Sequence, residues 1–572
     1  MLYRLFPGLL WLQGYHQRMF QSDLVSGITI GVMLIPQGMG YAMVAGLPPE
    51  FGLYSSIFPP ILYALLGTSN KISIGPVALD SILILTGLSV LAQPGSPAYL
   101  ELAIALTLMV GLLQFIFGLL RFGFIANFLS YPVIVGYTSA AALIIIGSQL
   151  PSLVGASVAG GNVFTLVYQL LLSVTQWNWV TVGIGIGSLV FIKLSNTFTP
   201  RVPCALVALV LGMFLAGVLQ LEQYGIDTIN SIPQGLPDLA VPRLDFNELG
   251  RLLPVAFTVA LMGYVGTISI CKSQEKPSDK IDTRPNQELI AIGLANTLGA
   301  FFRAFPVSAS FSRSAAFRSA GAMTQVSAVV SSVVIAVTVL YLTPLFTDYP
   351  LPKAILSAII IMSVLGLFKY AEMKTLFSQN RKEFYILLLT FIVTLLLGVQ
   401  QGLLVGVFLS ISMVIYNSAN PHMTELGLIE EENLYRNISR FDNARVRDEF
   451  IVFRFDAPLY FANKDYFIEH LYAWMKRRPE NTLKAVIFDG EAVNSIDSTS
   501  IRMLAHVIDN LEGQGIQFFL TNLIGPVRDA LKTSDLSAYL EKEHIFTTVH
   551  DAVIFFDEGV HKRADIALQT NG

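Results

Sequence analysis

AFPVSASFSRSAAF, residues Ala304–Phe317, is the stretch that decides how the rest of this chain is built. A proline-containing run opens it and small, hydroxylated residues follow. Arg313 then stands at the head of another long apolar segment. An arginine at membrane depth costs roughly 3 kcal/mol on insertion scales, so it marks a functional site by default. KISIGPVALDS, Lys71–Ser81, has the same grammar: β-branched alternation, then Gly-Pro, then small residues that open a helix. Two interrupted apolar segments in corresponding positions of two halves point to the binding site of a secondary transporter.

Working outward, the 572 residues are 53% hydrophobic and 13% charged, against about 25% charged in ordinary soluble domains. The deficit is local. Long apolar runs stop near Asn420, and Glu425–Gly572 has normal charge density with short alternating segments. This predicts a transmembrane domain over 1–420, a linker over 421–448 and a soluble domain over 449–572. A net charge of −4 and the lack of a basic stripe exclude a nucleic-acid partner. Cys204 and Cys271 sit in or beside apolar runs and read as packing residues, with no disulfide framework and no metal cluster. The seven histidines form no ligand set, and the chain has no Walker loop, H-E-x-x-H or G-x-S-x-G. The reading is therefore not an enzyme, with no cofactor and no ATP-driven pump. The N-terminus lacks a signal-peptide layout.

Apolar windows of about 20 residues recur about fourteen times, in two sets of seven, within 24–220 and 252–417. Phe164–Gln176 is apolar and reads as an interfacial segment. Arg4, Arg18, Lys193, Arg201, Lys272, Lys276, Lys280, Arg284, Lys369, Lys374, Arg381 and Lys382 all fall on one side under this count. The loop with Glu222, Asp227, Asp238, Asp245 and Glu248 falls on the other. Positive residues mark the cytoplasmic face, so both termini are expected there, in the plasma (inner) membrane. An odd number of spans per half inverts the second half relative to the first. Extended backbone at midplane must be buried and paired, which predicts that Ile72–Ile74 and Ala304–Ser310 pair as short strands.

DLVSGITIGVMLIPQGMGYAMVAGLPPEFGLYSSIFPPILYALLGTS (Asp23–Ser69) closely resembles the signature region of the sulfate permease family of anion transporters. SIGPVA (Ser73–Ala78), FLSYPVIVGYTSAAA (Phe128–Ala142), NQELIAIGLAN (Asn286–Asn296) and FSRSAAFRSAGAMTQ (Phe311–Gln325) resemble its further blocks. The resemblance covers essentially the whole chain. It implies an all-α membrane domain of 7+7 inverted repeats with core and gate subdomains, a homodimer and a cytoplasmic STAS domain. It also implies alternating-access transport of a small inorganic anion, with sulfate leading and bicarbonate, chloride or C4-dicarboxylates as alternatives. A different class on the same fold is a low-flux, anion-responsive scaffold that signals through its STAS domain.

A helix N-terminus carries unpaired N–H groups and about half a positive charge. Half-helices starting near Val77 and Ser312, with Arg313, would present about two charges, enough to balance a divalent oxyanion or a monoanion with a partner acid. A structural pairing of Arg313 is the plain alternative. The resemblance implies pocket positions at Gln37, Tyr41, Val77 with neighbouring Ala78, and Ser312. On the residues alone, a Gln37–Tyr41 hydrogen bond is the simpler expectation. Many proton-coupled members carry a glutamate where this chain has Gly266. Conversely, Asp80 stands in the first turn of the half-helix, where an apolar residue is usual. It is read as a proton- or sodium-coupling acid, a counter-ion of Arg313, or a helix-start carboxylate.

From Glu449 onward strands and helices alternate. EFIVFRF, KAVIFD and IQFFLTN read as strands, and Asp465–Arg478 and Ser498–Gly515 as helices, the second capped by Asp497 and Ser498. APLYFAN (Ala457–Asn463), IDSTS (Ile496–Ser500) and HIFTTVHDAV (His544–Val553) resemble a STAS domain. By that resemblance Ser498 and Thr499 are regulatory candidates and a cytoplasmic STAS-binding protein a candidate partner. Ser500 stands where glycine is usual, which favours a structural cap over a phosphorylated site.

Overall fold

The computed structural model describes residues 6–124, 130–156, 158, 162–198, 204–229, 232–242, 246–275, 282–431, 434–540 and 544–558. Arg4, Phe128, Arg201, Asp245, Lys276 and Lys280, used above, lie outside them. The chain divides into two compact units, Met1–Ser410 and Ile411–Gly572.

Among the described residues, 6 helices are long and apolar enough to cross a membrane: Gln17–Val44, Pro97–Leu119, Tyr131–Val154, Glu248–Lys272, Lys353–Gln379 and Gln401–Ala419. Shorter apolar helices include Ala78–Leu88, Trp179–Ser195, Cys204–Leu219 and Val326–Leu342. The window at 53–66 is broken into Pro49–Tyr54 and Phe58–Leu66. Pro59 and Pro60 stand in the first turn of the second piece, where a missing N–H costs no helical bond. Val163–Leu172 buries only Leu170 and exposes Phe164, Tyr168, Leu171 and Leu172.

Small residues let these helices interlock. Pro97–Leu119 packs along Pro285–Ala300, and a Cβ on Gly111 would fall 2.3 Å from the Thr297 amide nitrogen. A Cβ on Gly293 would fall 2.5 Å from that of Phe115, so neither position admits a side chain. Two carboxylates latch the unit. Asp23 is fully buried and accepts from the Met323 and Thr324 amides at 2.7 and 3.0 Å and from the Ser327 and Tyr15 hydroxyls at 2.8 and 3.0 Å. Glu288, also fully buried, accepts from the Tyr63 hydroxyl and the Thr68 amide, both at 2.7 Å. Dense donors of this kind make a buried carboxylate tolerable.

The extended runs pair as expected. Ile74–Gly75 and Ser308–Ala309 form a two-stranded antiparallel ladder, Ile74 opposite Ala309 and Gly75 opposite Ser308. The Ser310 amide continues it by donating to the Ser73 carbonyl at 3.1 Å.

The second unit holds a 6-stranded sheet. In spatial order its strands are Ile545–Phe546, Gln517–Thr521, Ala485–Asp489, Phe450–Phe455, Met423–Ile429 and Leu434–Asn437. The first four run parallel and the last two are antiparallel additions. Lys464–Met475 and Ser498–Gly513 are the main helices, and Phe453 stacks on Phe488 with centroids 5.0 Å apart in the core. The expected linker over 421–448 is corrected here, because its residues supply the two antiparallel strands. The charges of MTELGLIEEE (Met423–Glu432) hid the strand pattern. In the fold Glu425 is buried and bonded to Arg478.

Candidate functional site

The strand ladder brings the heads of two half-helices to one crossing. Ala78–Leu88 begins after Val77, whose backbone is extended (φ −134°, ψ 141°) and offers no side-chain cap. Its first-turn N–H groups are therefore left for another acceptor. Phe311–Ser319 begins after Ser310, whose hydroxyl accepts weakly from the Arg313 amide at 3.5 Å. Helices of 11 and 9 residues leave much of their backbone at the termini, where first-turn N–H groups have no intrahelical partner, so both heads carry concentrated donor character.

Arg313 lies across this crossing and is fully buried. Its Nη1 donates to the Pro76 carbonyl at 2.8 Å and its Nε to the Ser73 hydroxyl at 3.4 Å. The Nη2 is buried with no hydrogen-bond partner. Gly75, at φ +157°, allows this approach, since a Cβ there would sit 3.3 Å from Nη2. The guanidinium thus straps the Gly-Pro turn of one half to the second half-helix, and one nitrogen remains for an incoming acceptor.

Asp80 is buried at 3% exposure. Its Oδ2 accepts from the Ser308 hydroxyl at 2.5 Å, so the acid of the first half-helix is tied to the strand before the second. The expected counter-ion contact is not formed: no ion pair joins Asp80 to Arg313. The strand residue Ser308 takes the carboxylate, and Pro76 and Ser73 take the guanidinium. A Cβ on Gly266 would meet nothing within 4 Å, so a side chain at that position would have room.

Gln37 and Tyr41 are both buried on Gln17–Val44. The expected bond between them is absent. The Tyr41 hydroxyl donates to the Ser363 hydroxyl at 3.1 Å, and the Gln37 Oε1 is buried without a partner. Ala78 is buried, whereas Ser312 is exposed, with its hydroxyl 3.3 Å from that of Ser310. The crossing therefore gathers Val77, Ala78, Asp80 and Arg313 directly, while Tyr41 is engaged by Ser363.

Sequence reasoning passed over the amides that hold the strands in place. Asn296 accepts from the Val307 amide at 2.9 Å and donates to Gln114 Oε1 at 3.0 Å. Gln325 donates to the carbonyls of Ile72 and Ser69 at 2.9 and 3.0 Å. The Thr267 hydroxyl accepts from the Ala309 amide at 3.1 Å. Their signal was legible as polar residues inside apolar spans, each available to pair extended backbone.

In the soluble unit the cap of Ser498–Gly513 is Asp497 alone, which corrects the expected role of Ser498. Asp497 Oδ1 accepts from the Ser500 amide at 2.8 Å, and Oδ2 from the Phe461 amide at 2.9 Å. Burial raises the pKa of this carboxyl, but the hydrogen-bond donors at Ser500, Phe461 and Thr499 together outweigh it and hold it below the usual carboxylate range. Ser498 and Thr499 are exposed in the first turn, where a helix N-terminus favours negative charge.

Comparison with known proteins agrees with this architecture. The Sulfate permease family profile matches residues 20–390, and the STAS domain profile matches residues 443–552. Sulfate transporter 4.1, chloroplastic, of Arabidopsis thaliana is 34% identical over 567 residues, covering 96% of this chain and 82% of that protein. A probable sulfate transporter of Mycobacterium tuberculosis is 31% identical over 550 residues, covering 96% of this chain and 98% of its own. The solved structure of the murine Slc26a9 anion transporter in its inward-facing state superposes with a TM-score of 0.88 at 26% identity, over 96% of this chain and 94% of that one. Such proteins move anions across membranes and are not enzymes. The chain therefore belongs to the sulfate permease family, as a multi-pass membrane anion transporter with a C-terminal STAS domain.

Proposed function

We propose that this chain is a secondary active transporter of sulfate, held between the heads of Ala78–Leu88 and Phe311–Ser319 and carried by an elevator-type, alternating-access movement. The observation that carries the reading is the crossing itself. Two uncapped or weakly capped helix heads and the free Nη2 of Arg313 meet at one buried place. Their summed field is about two positive charges, which balances a divalent oxyanion once a coupled proton or sodium ion neutralises Asp80. The relatives named as sulfate transporters support the same substrate. Gln37, Tyr41 and Ser312 complete the proposed pocket. Asp80 is the proposed coupling acid for a proton or sodium ion.

On this reading the protein works as a homodimer in the plasma membrane, with inverted 7+7 repeats and both termini cytoplasmic. Ser498 and Thr499 are the positions at which a cytoplasmic partner or a modification would act. Uptake of labelled sulfate into proteoliposomes, in competition with bicarbonate, chloride and fumarate across pH and sodium, tests it. Sulfate should compete best. Bicarbonate or chloride as the preferred competitor would replace the substrate, and absence of any uptake would favour a scaffold.

A further inference from the structure

The second unit contains a cavity of about 340 Å³ lined by His422, Arg436, Asn437, Arg440, Phe441, Arg454 and Asp456. It has no part in the site described above. Its lining sets three guanidiniums against one carboxylate. That carboxylate is already engaged: Asp456 accepts from Arg454 Nε at 2.5 Å and lies 2.7 Å from His422 Nδ1. Burial raises the Asp456 pKa, but Arg454 and His422 outweigh this and hold it below the ordinary range, so it stays ionised. Arg436 and Arg440 are exposed and have no ion-pair partner among the described residues. A surplus of about two positive charges thus faces an open hollow, which is an arrangement suited to an anion.

The position of the cavity selects the anion. His422 stands three residues after Ala419, where the membrane-crossing helix Gln401–Ala419 ends, and three residues reach at most about 10 Å. The Asn463 side chain donates to the Ser418 carbonyl at 3.3 Å, fastening that helix end to the fold that carries the cavity. His422 on the lining therefore stands within about 10 Å of the helix end. Phe441, 42% exposed on the rim, adds an apolar edge of the kind found where protein meets the bilayer interface. The hollow has room for a phosphate together with the polar group it esterifies.

We propose that this cavity binds the phosphate headgroup of an anionic phospholipid from the leaflet at the C-terminal end of Gln401–Ala419. Arg436 and Arg440 supply the two free guanidiniums, and Arg454, oriented by Asp456, supplies the third. The same phosphate chemistry could be presented by free inorganic phosphate, and the location at a helix end favours the lipid.

The test uses the full chain in nanodiscs of phosphatidylcholine doped with phosphatidylglycerol. After transfer to detergent, retained lipid is counted by native mass spectrometry. The unaltered protein should retain phosphatidylglycerol over phosphatidylcholine. The double variant Arg436→Gln/Arg440→Gln should bind it about thirtyfold more weakly, each basic residue near an anionic surface being worth roughly a factor of five. Both positions are exposed, and an unchanged melting curve will show that the variant folds. In a parallel arm, inorganic phosphate titrated in lipid-free micelles should bind far more weakly than the lipid. Equal retention by the double variant, no preference for phosphatidylglycerol, or inorganic phosphate binding as tightly as the lipid would each overturn the assignment. None of these measurements involves transport, and the phosphate arm counts only the binding that the double variant loses, so the test is independent of which anion the membrane domain carries.

Discussion

Arg313 reaches across the crossing to Pro76, donating from Nη1 to its carbonyl at 2.8 Å. Pro76 immediately precedes Val77, the cap position of the other half-helix. Arg313, a buried cation at the crossing, is therefore also the strap that sets the spacing of the two helix heads. Charge and scaffold reside in one side chain, and substitutions there should show both effects.

Arg313→Lys keeps a positive charge but loses the planar fork that serves Pro76 and Ser73 together. Sulfate affinity should fall about tenfold or more, the scale of losing a hydrogen bond to a charged group. Arg313→Ala should abolish binding. Equilibrium binding to purified variants, with melting curves as a folding control, checks both. Near-normal affinity in the alanine variant would remove Arg313 from the site.

Asp80→Asn retains an acceptor for the Ser308 hydroxyl and removes the charge. The fold should survive, and uptake should lose its dependence on pH or sodium while sulfate still binds. Proteoliposome flux measured across imposed pH and sodium gradients gives the answer. A gradient dependence identical to that of the unaltered protein would take Asp80 out of coupling.

Gly111→Ala places a methyl group 2.3 Å from the Thr297 amide nitrogen. Backbone on both sides cannot yield easily, so the substitution should cost about 1–3 kcal/mol, the range for overpacking. A lower melting temperature in detergent is expected, with Gly111→Val failing to fold. Ala at the open Gly183, where nothing lies within 4 Å of a Cβ, is the matched control and should melt normally.

Asp497→Ala should destabilise the Ser498–Gly513 helix by about 1 kcal/mol, the usual worth of an N-cap. The sign with pH follows from its lowered pKa. The stabilisation is complete above the unfolded value of about 3.9 and is lost as pH falls through the lower folded value. Local stability by hydrogen exchange should separate variant from parent at neutral pH. The two should converge on acidification below about pH 4.

The helices and the paired strands were legible because apolar period, Gly-Pro breaks and β-branched runs are local signals. Ile74 opposite Ala309 needed only the rule that extended backbone at midplane must be paired. The partners of the polar side chains were not legible. Whether Asp80 meets Arg313 or Ser308, and whether Tyr41 meets Gln37 or Ser363, depends on ångström offsets between elements hundreds of residues apart. The burial of Asp23 and Glu288 was not legible, since nothing nearby in the sequence announces donors such as Thr324 and Thr68. Met423–Ile429 was hidden for a related reason: Glu425 lowers the apparent apolarity of a strand whose charge is neutralised by Arg478, fifty-three positions on.

The two-residue ladder at the crossing has a hydration consequence. Ile74, Gly75, Ser308 and Ala309 turn their backbone groups toward one another or toward Thr267, and Asn296 and Gln325 cover the flanking amides and carbonyls. Interrupted helices would otherwise drag a sleeve of water wherever they went. Here the interruption is sealed from within, so under the elevator movement proposed above the dielectric barrier would be set by the anion and the few donors that face it.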